Sequence, residues 1–172
     1  MNEFEFTLIY KLKNDEEDPS KYMDALFEVG CDDAIVSLGK KGMISLDFIR
    51  DDIQANLAII SALEDVKKAI PDATLVEASP DFVTTTELSK ILDHSRQNAR
   101  MLMIKKDSPP PVHMGSPNFW HLSEVFEWLL KDDKIANYHV DNTMIEVANV
   151  TKKVNLSIAM VGIDEPINEF AI

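Results

Sequence analysis

Apolar residues alternate with mostly polar residues at the beginning of the chain. The apolar parity consists of Phe4, Phe6, Leu8, Tyr10 and Leu12. A period of two is typical of a strand that buries one face, so the pattern predicts a β-strand. The opposite parity begins with Glu3 and Glu5, which we expect to point away from the core.

The periodicity changes several times before residue 80. Helical spacing between Pro19 and Gly30 predicts a first helix, because proline suits a first helical position and glycine a terminus. Two alternating segments joined by a turn at 39–42 predict a hairpin, and the run 73–79 predicts a fourth strand. Apolar residues at spacings of three and four predict a second amphipathic helix that buries this stripe: Ile53, Leu57, Ile60, Leu63, Val66 and Ile70.

The order of these elements is strand, helix, strand, strand, helix, strand. It predicts an α+β protein whose residues 1–80 form a ferredoxin-like βαββαβ domain, with both helices on one face of an antiparallel sheet. The other face offers Glu3, Glu5, Ser45 and Asp47 rather than aromatic rings, which disfavours base stacking by RNA. We expect a dimerisation or scaffold module, at which a small-molecule effector or a protein partner could bind.

Residues 84–131 have a different pattern, of short helices and an extended proline-led segment. Thr84 and Glu87 have the spacing of a capping box, and Ser95 is expected to cap a second helix over 95–103. Three consecutive prolines at 109–111 cannot join a helix, so the chain is expected to extend, turn around Gly115, Ser116 and Pro117, and return as a wing. Ser123 is expected to cap the helix that follows.

The polar side chains of the second helix match the chemistry of DNA. Arginine can bind guanine with two hydrogen bonds, asparagine and glutamine can do the same to adenine, and lysines contact phosphates. The predicted DNA-binding residues are Ser95, Arg96, Gln97, Asn98, Arg100, Lys90, Lys105, Lys106, His113, Ser116 and Asn118. The alternatives are a solvated polar helix and, for His113 and His121, simple surface or packing roles.

The stretches TTELSKILDHSRQNARMLM and PPPVHMGSPNFWHLSEVFEWLL together resemble the winged helix-turn-helix of phage excisionases and of small prophage-type regulators related to MerR proteins. The resemblance covers residues 84–130. It implies that Ser95, Arg96, Gln97 and Arg100 lie on the face of the recognition helix that meets DNA. It also implies that residues 115–118 form the tip of the wing.

The sequence departs from the family pattern in the turn between the two helices and at the wing. Asp93 replaces the turn glycine, and His94 replaces an apolar turn residue. Aspartate tolerates a left-handed backbone better than most residues, but the two replacements together weaken the fit of the turn to the family pattern. The wing tip also lacks the basic residues that are common in such wings.

The distribution of charge agrees with a nucleic-acid contact in the middle of the chain. The protein has a net charge of −13, but residues 84–115 carry +2, whereas residues 1–83 carry −10 and residues 116–172 carry −5. Negative charge repels DNA at long range, although charges beyond about 8 Å are largely screened at physiological salt. Local placement therefore matters more than the total.

The C-terminal segment 135–172 is expected to contain a helix and an irregular tail. Its apolar residues have nearly heptad spacing at Val140, Val147, Val150, Val154, Ile158 and Val161. This stripe is interpreted as a seam for self-association in preference to packing on the chain's own body.

The sequence carries no pattern typical of catalysis or of metal binding. The four histidines are scattered, and no phosphate-binding loop, dinucleotide fingerprint or nucleophile motif occurs, so we expect no enzyme, cofactor or metal. Cys31 is expected to be buried or inert. No apolar run reaches the roughly 20 residues of a membrane span and no signal pattern begins the chain, which predicts a cytoplasmic protein without a membrane partner.

These observations predict a sequence-specific double-stranded DNA-binding protein, a transcriptional regulator that inserts helix 95–103 in the major groove as a homodimer. The alternative is an acidic protein-interaction adaptor, of the antitoxin or anti-restriction type, whose winged domain does not bind DNA. A third interpretation is an architectural role in excision or integration, which uses the same DNA contacts.

Overall fold

A computed structural model describes residues 1–131, 137–138 and 140–162. The predicted α+β class is confirmed. Four strands form one antiparallel sheet: β1 (Asn2–Lys11), β2 (Ala34–Ser37), β3 (Met43–Asp52) and β4 (Thr74–Ser79). Two short strands form a second sheet: β5 (Phe82–Val83) and β6 (Trp120–His121). The helices are α1 (Met23–Glu28), α2 (Ala55–Ala69), α3 (Thr85–Ile91), α4 (Arg96–Met103), α5 (Leu122–Lys131) and α6 (Asn142–Met160).

The first sheet has the strand order β2-β3-β1-β4 and buries the parity that the alternation predicts. Phe4, Phe6 and Leu8 of β1 are buried, and Phe6 stacks on its register partner Phe48 of β3 with ring centroids 5.1 Å apart. The opposite parity carries Thr7, whose hydroxyl donates to the carboxylate of Asp47 across the same pair of strands. The pattern of β1 thus specified both faces of the strand correctly.

Helix α2 buries a different face from the one predicted. Ile53, Leu57 and Ile60 are 66%, 41% and 48% exposed, so the predicted buried stripe is wrong at these positions, although it is correct at Val66 and Ile70. The buried face of α2 is instead formed largely by small residues: Ala55, Ala58, Ile59, Ala62 and Val66. Large side chains of β1 and β3 fill the layer below the helix, so alanines allow the close approach that leucines would prevent.

Arg50 is a buried cation that joins β3 to the segment before β2 and to α2. Its guanidinium donates to Asp33 at 2.6 Å and to Asp65 at 3.0 Å, and also to the carbonyl oxygen of Gly30. The neighbouring thiol of Cys31 is 3% exposed, and burial raises its pKa to about 11. The structure therefore supports the expectation that this cysteine is buried and weakly nucleophilic.

A second hydrophobic cluster lies between α3, α4, α5 and the small sheet. Its fully buried members include Leu88, Leu92 and Phe126. Trp120 and Trp128 also belong to this cluster, and the indole nitrogen of Trp120 donates to the carbonyl oxygen of Pro109 at 3.1 Å. The extended proline segment is thereby fixed to the helices that precede and follow it.

Helix α6 packs against both hydrophobic clusters. Val147, Val150 and Val154 contact the core of the first sheet, whereas Ala148 belongs to the second cluster. Lys152 donates to Glu124 of α5 at 2.6 Å. The interpretation of this stripe as a seam between two copies is therefore corrected: its central residues lie against the chain's own sheet.

Two predictions about the end of the chain lie outside the described residues. These are the irregular tail after residue 163 and the beginning of the C-terminal segment at residues 135 and 136. Among the helices that are described, none combines the length and apolarity that crossing a bilayer would require.

Candidate nucleic-acid interface

Helix α3 begins with the capping box that the sequence predicts. The Thr84 hydroxyl accepts from the backbone N–H of Glu87, and the Glu87 carboxylate accepts from the backbone N–H of Thr84 at 2.7 Å. The turn after α3 depends on Asp93, whose φ of 51° is left-handed. Aspartate therefore occupies the backbone conformation that glycine would otherwise supply.

Helix α4 is held by three inward side chains. Ala99, Leu102 and Met103 are buried, the latter two in the second cluster. The Ser95 hydroxyl caps the helix by accepting from the backbone N–H of Asn98 at 3.1 Å. At 3.6 residues per turn, Gln97 and Met101 lie opposite these buried residues. One face of α4 is thus anchored and the other is exposed.

The predicted contact residues lie on the surface. Those that are exposed are Ser95, Arg96, Gln97, Asn98, Arg100, Lys90, Lys105, Lys106, His113 and Ser116. Asn118 is half-buried, and its side-chain oxygen accepts from the backbone N–H of Gly115 at 3.0 Å across the wing tip. Asn118 therefore stabilises the tip, and Ser95 combines exposure with its role as a cap.

The basic residues near α4 differ from those elsewhere in the chain. Outside residues 84–115 the described chain has eleven lysines and arginines, and eight of them form ion pairs. The five basic residues within 84–115 form no ion pair with any described residue: Lys90, Arg96, Arg100, Lys105 and Lys106. Their charges are available to an external anion without first breaking an internal pair.

The wing is a short hairpin. The backbone N–H of Val112 donates to the carbonyl oxygen of Phe119 at 2.9 Å, and the backbone N–H of Phe119 donates to the carbonyl oxygen of His113 at 3.1 Å. The chain then continues into β6, which pairs with β5 directly before α3. This pairing fixes the base of the wing beside the helices.

A groove lies between α4 and the wing. Arg100 and Ile104 line it on the helix side, and Met114 and Ser116 line it on the wing side. Three apolar side chains near the basic residues are also exposed. Met101, Ile104 and Met114 are 56%, 64% and 82% exposed. Ile104, directly after α4, and Met114, directly before the wing tip, were not predicted as contact residues, although their position beside polar residues was a usable signal.

His121 lies away from the wing surface, inside a polar cluster that joins the two parts of the chain. Its Nδ1 is 2.6 Å from Oδ1 of Asp81, which is fully buried, and Asn155 of α6 donates to Oδ2 of Asp81 at 2.8 Å. Asn155 also pairs with the backbone N–H and carbonyl of Ala78 on β4, both at 2.8 Å. His121 therefore has the packing role rather than the phosphate contact.

The helix that follows begins two residues earlier than a cap at Ser123 predicts. Leu122 starts α5, and its N–H donates to the carbonyl oxygen of Asp81 at 2.7 Å. Ser123 is consequently inside the helix and 5% exposed, and its hydroxyl has no hydrogen-bond partner among the described residues. The predicted cap at Ser123 is wrong, because β6 leads directly into α5.

Within the residues that the structure describes, no group of three or more His, Cys, Asp or Glu side chains is arranged to hold a metal ion. A scan of the chain against protein-family models found no match, and neither did searches of curated proteins and of solved structures.

Proposed function

We propose that this protein is a sequence-specific double-stranded DNA-binding protein, acting as a transcriptional regulator, which inserts helix α4 in the major groove. The observation that carries the proposal is the exposed face of α4, with five nearby basic side chains that form no ion pair with a described residue. A fixed helix with an exposed polar face is what direct readout of base edges requires. Arg96 and Arg100 would recognise guanine, and Gln97 and Asn98 would recognise adenine.

The arrangement around α4 supports a winged helix-turn-helix over residues 84–131. Two short helices meet at a left-handed turn, and a hairpin precedes a third helix whose apolar face closes the core. The first sheet and its crossover helices have the strand order β2-β3-β1-β4, which supports the ferredoxin-like arrangement for residues 1–80. In this proposal the first domain and α6 hold the DNA-binding unit in place.

We propose that phosphates are contacted by Lys90, Lys105 and Lys106. The exposed wing residues His113 and Ser116 are proposed to contact phosphates as well. Phosphate contacts set the register of a protein on the duplex, whereas base contacts set its sequence preference. The neutral wing tip supplies little electrostatic attraction. We therefore expect affinity to depend mainly on the cations around α4.

The decisive experiment selects bound sequences from a random duplex pool and compares variants on the selected duplex. Replacing both Arg96 and Arg100 by alanine should weaken specific binding at least about thirtyfold, because each bidentate contact contributes about 1–3 kcal/mol. The matched control replaces Lys40 and Lys153, two exposed lysines that form no ion pair with a described residue, and changes the net charge equally. Unchanged specific binding by the arginine variant would rule out this mode.

A homodimer on two half-sites remains part of the proposal. Half-sites would then lie about 34 to 36 Å apart, or a multiple of that distance. Sedimentation of the protein with a one-site and a two-site duplex tests this stoichiometry. A single protein bound per two-site duplex at saturation would contradict it.

The second candidate is an acidic adaptor that binds a protein partner. It is favoured by the exposed apolar residues Met101, Ile104 and Met114 beside α4, and by the net charge of −13. Salt titration separates the candidates, since counterion release lowers log affinity by about 0.9 per phosphate contact for each unit of log salt. Absence of DNA retention even at low salt would favour the adaptor.

A further inference from the structure

A small cavity lies where β4, the small sheet and the end of α6 meet, away from the face of α4. It has a volume of about 280 Å³. Its apolar wall is formed by Val76, Phe82, Leu156 and Ile158. Phe82 and Leu156 are 44% and 46% exposed, which leaves apolar surface at the cavity open to a ligand.

His121 and Glu77 are polar side chains of the cavity, and each has an atom that can bind a ligand. The ring of His121 lines the cavity and is 6% exposed, and its Nδ1 is occupied by Asp81. Its other nitrogen, Nε2, has no hydrogen-bond partner among the described residues. In a neutral ring whose Nδ1 proton faces Asp81, Nε2 carries a lone pair and accepts a hydrogen bond.

Glu77 also lines the cavity and lacks a cationic partner. No lysine or arginine of the described chain pairs with it. Burial raises the pKa of the Glu77 carboxyl, and the nearby carboxylates of Asp81 and Glu87 raise it further. The cavity thus has negative electrostatic character that no cationic side chain of the described residues compensates.

The polar and apolar features of the cavity select one ligand chemistry. A cation is attracted by Glu77 and its acidic neighbours, and the face of an aromatic ring such as Phe82 stabilises an adjacent ammonium. An N–H of the same ligand can donate to Nε2 of His121. The apolar wall, in turn, requires a compact hydrocarbon group, because it would otherwise remain exposed to water.

We propose that this cavity binds a small organic ammonium ion that carries a compact apolar group, with Glu77 and Nε2 of His121 as its polar contacts. The site connects β4 to the strands on either side of the α3–α4 unit, because Phe82 belongs to β5 and His121 to β6. It shares no residue with the proposed DNA contacts, so either proposal can fail while the other stands.

The test titrates the full chain, without DNA, with three compounds that share one hydrocarbon group. These are isopentylamine, isopentanol and 4-methylpentanoate, which at neutral pH are cationic, neutral and anionic. Binding is followed by calorimetry and by the ring nitrogen resonances of His121. The amine should bind at least about tenfold more tightly than the alcohol, and the anion should bind least.

Variants make the assignment specific. Glu77→Gln should weaken amine binding about tenfold and leave alcohol binding unchanged, because it removes the charge and keeps the shape. Glu3→Gln, an exposed carboxylate on β1, is the matched control and should have no effect. Phe82→Leu should reduce the preference for the amine over the alcohol, since it removes the aromatic face.

Three results would overturn the proposal. The first is no saturable amine binding up to about 10 mM, a concentration at which a dissociation constant of about 1 mM is readily detected. The second is equal binding of the amine and the alcohol. The third is amine binding that Glu77→Gln does not weaken, or that leaves the His121 ring resonances unchanged.

Discussion

Two polar regions of this protein differ in how their hydrogen-bonding and charged groups are used. Around Asp81 the polar groups are buried and joined to one another, so that β4, β6 and α6 are held by Asp81 and Asn155. On α4 the polar groups are exposed and have no internal ion pairs. Burying an unpaired polar group costs free energy, whereas an exposed one costs little and stays available to a ligand.

This contrast separates residues that fold the chain from residues that are free to recognise a partner. Lys152 and Arg50 are basic residues of the first kind, since each is paired within the fold. Arg96 and Arg100 are of the second kind.

The largest expected effect comes from removing the centre of the buried cluster. Asp81→Ala should lower the free energy of unfolding by about 3–5 kcal/mol, because the buried donors of His121 and Asn155 would lose their acceptor. Urea denaturation measures this change. The exposed Glu3→Ala is the control and should stay within about 0.5 kcal/mol of the parent protein. A loss below about 1 kcal/mol for Asp81→Ala would show that the cluster does not stabilise the junction.

A smaller effect is expected from the lysines that follow α4. Replacing Lys105 and Lys106 by alanine should weaken binding of every duplex roughly thirtyfold at 0.15 M salt and lower the salt slope by about 1.8, the value for two phosphate contacts. Fluorescence anisotropy at several salt concentrations gives both quantities. The Lys40 and Lys153 double variant should retain the parent slope, and a loss confined to one sequence would instead indicate base contacts.

The smallest effect concerns the carboxyl beside the junction. The pKa of Glu77 is raised in the folded chain, so the fold favours the neutral carboxyl. The stability that this preference contributes is fully present below the ordinary pKa of 4.5, and it is lost as the pH rises through the pKa of the folded chain. Glu77→Gln should therefore raise the free energy of unfolding at pH 7 by on the order of 0.5 kcal/mol. It should give no gain at a pH below the ordinary pKa of a glutamate. Denaturation series at acidic and neutral pH check this, and a gain that persists unchanged in acid would contradict it.

Local patterns in the sequence were sufficient for most of the elements and for the caps of α3 and α4. The alternation in β1, the capping pair Thr84 and Glu87, and the turn residue Asp93 all act over a few residues. Their physical consequences do not depend on distant parts of the chain. The exposed face of α4 could be predicted for the same reason, since Ala99 and Leu102 define its inward side.

Features that depend on distant residues could not be predicted in this way. Helix α2 is apolar on two faces, and only the packing of large side chains below it decides that the alanine face is buried. The cluster of Asp81, His121 and Asn155 joins residues that are far apart in the sequence. The stripe on α6 was equally compatible with a second copy and with the chain's own sheet, and its burial is a tertiary property.

The central claim is that the outward face of α4 is the surface that meets DNA. Its most direct test is to titrate the isotope-labelled protein with its selected duplex and to follow the backbone amide resonances. The largest shifts should fall in residues 95–103 and in the wing at 112–119, with little change around Asp81. Shifts confined to the rest of the chain, with α4 unperturbed at saturation, would contradict the claim.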